Sequence, residues 1–180
     1  MTPDSTSSQT GFYPGSWKPL LAISLLAGTL DALGAVIIYQ AEPTRLFRFI
    51  ASGAFGASKA FSAGTYMVVW GILFHYLIAF IWTAIFFFSY PRLAIARRNI
   101  FITGVLYGVF VWIVMNKIVL PLAQIASVPF NLRAALIGVS IIIFAIGLPI
   151  TFFTRRYYSR SAALRDTSAS HRHGEVGNGQ

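Results

Sequence analysis

Apolar residues fall in four long, nearly unbroken runs, separated by short stretches where Pro, Gly, Arg and Lys gather. The runs cover about 19–40, 64–90, 100–123 and 133–154. The first contains one charged residue, Asp31, close to its midpoint, and the third contains one, Lys117. The second contains none, and neither does the fourth beyond Arg133. Each run reaches the roughly 20 residues that, at about 1.5 Å per residue, cross about 30 Å of hydrocarbon. Barrel strands would be shorter and would alternate polar with apolar positions, which these runs do not. A backbone inside lipid has to satisfy its own hydrogen bonds, and helices do so. The pattern therefore predicts an all-α protein: an integral membrane bundle of four transmembrane helices within a membrane domain spanning 18–156.

The connecting stretches refine this picture. Residues 1–17 are polar and rich in Ser, Thr, Gly and Pro, which predicts a disordered N-terminal arm. No basic start runs directly into a short apolar core, so the arm does not read as a signal peptide, and the first run is expected to stay as a span. The link after the first span is the longest. Pro43 suits a first helical position. Arg45 and Arg48 lie three apart, with Leu46, Phe47, Phe49 and Ile50 supplying apolar surface. A short interfacial helix is expected over about 43–56. A re-entrant segment is the other reading of 43–63, because Gly53 and Gly56 permit tight bends. Residues 157–180 are polar and basic and predict a disordered tail, in which His171 and His173 lack the third ligand a metal site needs. Pro149 lies inside the fourth span, where it removes a backbone donor and predicts a kink. Pro121 and Pro129 bracket the loop between spans three and four.

Composition supports the bilayer. The chain is 56% hydrophobic and only 11% charged, against about 25% charged residues in soluble domains. There is no cysteine, which excludes disulfides, thiolate nucleophiles and cysteine metal sites. The formal net charge is +9. These bases sit beside apolar spans, so anionic headgroups are the expected partner, and nucleic acid is not. Lys18, Arg92, Arg97, Arg98, Arg155, Arg156, Arg160, Arg165 and Arg172 fall on one side of a four-span topology. Arg45, Arg48, Lys59 and Arg133 fall on the other. This bias places both termini in the cytoplasm, with Trp17, Tyr90, Tyr157 and Tyr158 near that face as interfacial anchors.

Helical residues four apart share a face, and small residues at that spacing let bilayer helices approach closely. Ser24, Ala27, Gly28, Asp31 and Ala35 lie along one stripe of span one with Gly34 beside it, while Leu26, Leu30, Leu33 and Ile37 lie largely opposite. Span two repeats the spacing with Gly71, His75, Ala79 and Thr83. Span three does so with Gly104, Gly108, Trp112 and Asn116. Span four offers Ala134 and Gly138, then Ala145 and Pro149. Polar groups on the first three seams are expected to face protein. Asp31 and His75 each lie about eleven residues into their spans from opposite sides, so both sit ~16 Å deep. Lys117 lies ~25 Å along span three, where its stem can reach the interface. Asn116, at similar depth, is expected to bond between helices, and Tyr107 and Trp112 to pack.

A carboxylate at mid-bilayer costs about 2.5–3.5 kcal/mol on insertion scales. A proton on Asp31, or a protonated His75 beside it, would reduce that cost and make the site proton-sensitive. A hydrogen-bonded clasp between spans one and two is the alternative role for the same pair. No GxSxG, HExxH, P-loop or dinucleotide motif occurs, and Ser24 lies too far from the pair to complete a triad. The chain is therefore not expected to be an enzyme. No cofactor or metal is expected either, since His75 is the only histidine within a span and a haem needs further axial ligands.

The segments LAGTLDALGA, RFIASGAFG, GILFHYLIAF, TGVLYGVFVWIVMN and IGLPI together resemble uncharacterised bacterial inner-membrane proteins of the YagU-like kind, over most of residues 20–155. The resemblance implies a small multi-pass protein of the bacterial inner membrane and carries no reaction or ligand. Span four, reading SIIIFAIGLPI, lacks the histidine that relatives lead one to expect. Two functions are open at this stage. One is a small proton-linked transporter or conductance, built as a homo-oligomer because four spans enclose little volume. The other is a non-catalytic membrane assembly or envelope-stress module working through residues 42–63 or the basic tail. The absence of native cysteine makes the topology testable. A single cysteine at Thr44 should react with a membrane-impermeant maleimide in intact cells, and one at Ser168 only after lysis; the reverse pattern would invert the orientation.

Overall fold

The computed structural model describes residues 17–93, 98–123 and 131–177, with side chains in the last helix described as far as 161 and at 163. The N-terminal arm up to residue 16, the link 94–97 with Arg97, the loop 124–130 with Pro129, and residues 178–180 lie outside the described residues, as do the side chains of Arg165, His171, Arg172 and His173. The described elements are helical throughout. They are α1 (Trp17–Tyr39), α2 (Pro43–Phe55), α3 (Ala57–Ser62) and α4 (Tyr66–Ser89), which ends in a 3₁₀ turn (Tyr90–Arg92). Then follow α5 (Ile100–Val114), a π turn (Met115–Val119) and a last α turn (Leu120–Leu122). Finally come α6 (Leu132–Ile142), a second π turn (Ile143–Gly147) and α7 (Leu148–Gly177). Four helices are long and apolar enough to cross a membrane: Trp17–Tyr39, Tyr66–Arg92, Ile100–Leu122 and Leu132–Ser161. The protein is thus an all-helical, multi-pass membrane bundle with short helices between its first and second spans.

Local chemistry sets the helix starts. Asn99 accepts from the Phe101 and Ile102 amides at 3.0 and 3.2 Å, and Asn131 from that of Ala134 at 3.1 Å, each taking up donors that a helix start leaves orphaned. Pro43 opens α2. The last helix continues to Gly177, past the boundary near 154 and into the segment expected to lack regular structure.

The spans close on one another through glycine. A side chain at Gly108 would come within 2.7 Å of the Ile143 Cα, and one at Gly104 within 2.6 Å of the Leu148 side chain. Gly147 in turn abuts the backbone of Gly104 and Gly108, so spans three and four touch nearly backbone to backbone. Gly28 faces Tyr76 and Ala79 of the second span, Gly34 faces Ile141, and Gly138 lies under Trp112 and the Tyr39 hydroxyl. The first span packs on the second and fourth, and the third on the fourth. Spans two and three meet through side chains: Tyr107 donates to the Trp82 carbonyl at 2.5 Å, and its ring lies 4.7 Å from that of Phe86. Leu26, Leu30, Leu33 and Ile37 are exposed on the opposite face of α1, where a bilayer receives them.

Three local features refine the sequence reading. Tyr90 is not an interfacial anchor. It is 5% exposed and stacks on Tyr158 at 5.1 Å, and the Tyr158 hydroxyl donates to the Phe87 carbonyl at 3.1 Å. The short helix expected over about 43–56 is present as Pro43–Phe55, and a second, unexpected helix, Ala57–Ser62, follows it across Gly56, whose φ is +82°. Arg48 joins them, donating to the carbonyls of Ala60, Phe61 and Ala63 at 2.9, 3.3 and 2.6 Å and so capping the end of α3. Finally, both in-span prolines follow a π turn by two residues: Pro121 after Met115–Val119 and Pro149 after Ile143–Gly147. Proline offers no N–H to the carbonyl four residues back and crowds it with its ring. In the two spans those carbonyls belong to Lys117 and Ala145, and a wider turn accommodates both.

The glycine contacts give a direct test. Gly108→Leu should destabilise the bundle by about 1–3 kcal/mol through overpacking, read as a lower thermal midpoint in detergent by size-exclusion recovery. Val105→Leu, on an exposed position of the same span, should leave the midpoint unchanged.

Candidate functional site

Asp31 stands three residues beyond Gly28 on α1 and lines a partly open cavity of about 340 Å³ between the helices. The other walls come from every remaining layer. Leu46, Phe49, Ile50, Gly53 and Ala54 are on α2; Phe74, His75, Ile78, Ala79 and Trp82 are on α4. Val111, Met115, Val119, Leu120 and Ala123 belong to the third span and its end, and Ile142 and Ile146 to the fourth. The cavity fills the gap where spans two and three are bridged only by side chains. It runs from the level of Asp31 and Trp82 to Ala123, at the end of the bundle that carries α2.

α2 is a wall of this site because of Gly71. With no side chain there, the backbone of Phe47 rests directly on α4. The Phe47 ring meets His75 edge-on at 6.0 Å, and Phe55 lies 5.7 Å from Trp70 and 5.9 Å from Phe74. α2 therefore crosses α4 between Trp70 and His75, more than one turn in from Tyr66. Gly71, read from the sequence as a seam between spans, serves this inter-span helix instead.

Gly71, His75, Ala79 and Thr83 are all buried on one face of α4. His75 Nε2 lies 2.7 Å from the Gly28 carbonyl oxygen. With a carbonyl as acceptor, Nε2 carries the proton and donates. Beside it, the hydroxyls of Thr29 and Tyr76 are 2.9 Å apart. The link between spans one and two is thus an imidazole on a backbone carbonyl, one turn from Asp31. Among the described residues, no hydrogen bond or ion pair engages the Asp31 carboxyl group.

The other polar candidates lie elsewhere. Asn116 Nδ2 donates to the Trp112 carbonyl of its own helix at 2.9 Å. It satisfies a group at the entrance of the π turn and makes no bond between helices. Lys117 is exposed and takes no part in the cavity wall. The four-residue seams placed Asp31 and His75 toward protein. The contributions of α2 and of the two π turns had only Gly71, Pro121 and Pro149 as sequence signals. Among the described residues, no three His, Asp or Glu side chains gather to hold a metal ion.

No protein-family model matches the chain, and no curated protein or solved structure matches it. What the fold and site define is a class: a four-span membrane protein with a carboxyl group and an imidazole at one apolar cavity between its helices.

The His75 link predicts a measurable loss. His75→Phe keeps the ring against Phe47 but removes the donor to Gly28. Inter-helix bonds in membranes are worth on average about 0.6 kcal/mol, with a maximum of about 1.7 kcal/mol. The variant should therefore lose about 1 kcal/mol in reversible unfolding in mixed micelles, and a wild-type curve would show the bond to be idle.

Proposed function

We propose that this is a proton-linked transporter of the bacterial inner membrane, with both termini in the cytoplasm, in which Asp31 takes up and releases the proton. One observation carries the reading: a mid-span carboxyl group lines a cavity between the helices without a hydrogen-bonding partner among the described residues. A carboxylate kept only to hold helices together would use its oxygens on a neighbouring donor. His75, which interacts electrostatically with Asp31, has its Nε2 spent on Gly28. The apolar walls favour a carrier that binds and releases over an open conductance, because a continuous water path needs polar lining. The narrow seams at Gly104, Gly108 and Gly147 supply closely packed surfaces along which one pair of helices can rock. The YagU-like resemblance is consistent with the membrane assigned and adds no chemistry.

The test is proton movement. In proteoliposomes with an enclosed pH indicator, the wild type should carry protons in response to an imposed potential or a substrate gradient. Asp31→Asn should abolish this while keeping the elution profile and melting point of the folded protein. If flux persists at the wild-type level in the variant, the reading passes to a non-catalytic membrane module working through α2 and α3.

A further inference from the structure

We propose that the cavity binds a small lipophilic monocation, an ammonium group on an aromatic or alkyl body, and that the Asp31 carboxyl group carries either this cation or a proton. The second half rests on the proton-linked reading above; the first half stands on the cavity alone.

The walls decide the ligand class by elimination. Among the described residues, no lysine or arginine lines the cavity, so an anion would enter hydrocarbon-like surroundings without a counter-charge. The Nε2 proton of His75 is already donated to Gly28. A polyhydroxylated or strongly polar neutral ligand would find few partners and would lose more hydration than it regained. A purely apolar ligand fits the walls but leaves the carboxyl group unused. A cation with an apolar body matches every wall: the charge faces Asp31 and the body takes the aliphatic surface. The aromatic side chains of Phe49, Phe74 and Trp82 add ring faces that attract ammonium groups. The volume of about 340 Å³ lies at the small end of ligand pockets, which run from about 300 to 1,000 Å³. It admits one ring with a compact ammonium head.

The exchange balances in charge. When the cation enters a protonated site, the carboxyl O–H bond breaks, the proton leaves to water, and the ammonium charge takes its place. The titratable groups disposed around Asp31 are His75 on α4 and, two turns along its own helix, Tyr39. α2 and the third and fourth spans contribute none to the cavity wall. Raising the pH therefore favours the cation by ionising Asp31.

Equilibrium dialysis of the full chain in detergent tests this, using benzyltrimethylammonium and its uncharged isostere neopentylbenzene. The cation should bind saturably, with affinity rising several-fold between pH 5 and pH 8. Asp31→Asn should weaken the cation at least tenfold and leave the isostere unchanged. The pH dependence should persist in His75→Phe. Met115→Trp, which fills the cavity and leaves Asp31 intact, should abolish binding of both probes and keeps the test decisive if Asp31→Asn does not fold. Equal binding of cation and isostere, undiminished cation binding in Asp31→Asn, or saturable cation binding in Met115→Trp would each overturn the assignment. Proton flux without cation binding would remove the ligand class and leave the transporter reading standing. Cation binding without proton release would retain the site and remove the exchange.

Discussion

A carboxyl group at the middle of a bilayer has to be sheltered by protein, and helices from every layer of the bundle converge on the cavity that Asp31 lines. Lipid cannot solvate it and the helix that carries it cannot shield it, so neighbouring helices must. Three of the walls are spans. The fourth is α2, which is short and follows the first span after a brief turn, yet reaches His75 because Gly71 lets its backbone lie directly on α4. An arginine completes the arrangement from outside: Arg48 ties α2 to the end of α3 and holds the pair as a unit.

Polar groups in this core are satisfied mostly by backbone carbonyls. His75 uses Gly28, Tyr107 uses Trp82, Tyr158 uses Phe87, and Asn116 uses Trp112. Only the first three join different helices, and each enters a helix at a carbonyl that small or aromatic neighbours leave accessible. Thr29 and Tyr76 add a side-chain pair between the first two spans. Such a network fixes helix positions without using the Asp31 carboxyl group, which makes no hydrogen bond among the described residues.

Much of this could be read from the chain. Run length and the scarcity of charge gave the number and kind of spans, because hydrocarbon thickness is a hard limit. The spacing of Gly71, His75, Ala79 and Thr83 placed all four on one buried face of α4. Other features were hidden for physical reasons. A spacing rule identifies a face but not what packs on it, so Gly71 pointed equally well to a span or to α2. Gly147 lay outside the four-residue rows, yet it makes the closest approach to span three. Asn116 was assigned to a neighbour because an amide at that depth needs a partner. The partner proved to be a carbonyl of its own helix at the start of a π turn, whose presence depends on Pro121 five residues further on.

Those widened turns have a bearing on the shape of the cavity. In a regular α-helix, side chains four apart creep round the axis by about 40° at each step, so a row of three would splay away from a common target. A π turn winds more slowly per residue and takes the creep back. Val111 and Val119, two steps apart, are thereby brought back toward one face, and both line the cavity with Met115 between them; Ile142 and Ile146 line it across the turn Ile143–Gly147. Each proline thus acts on a wall of the cavity through the turn before it, although neither lines the cavity itself.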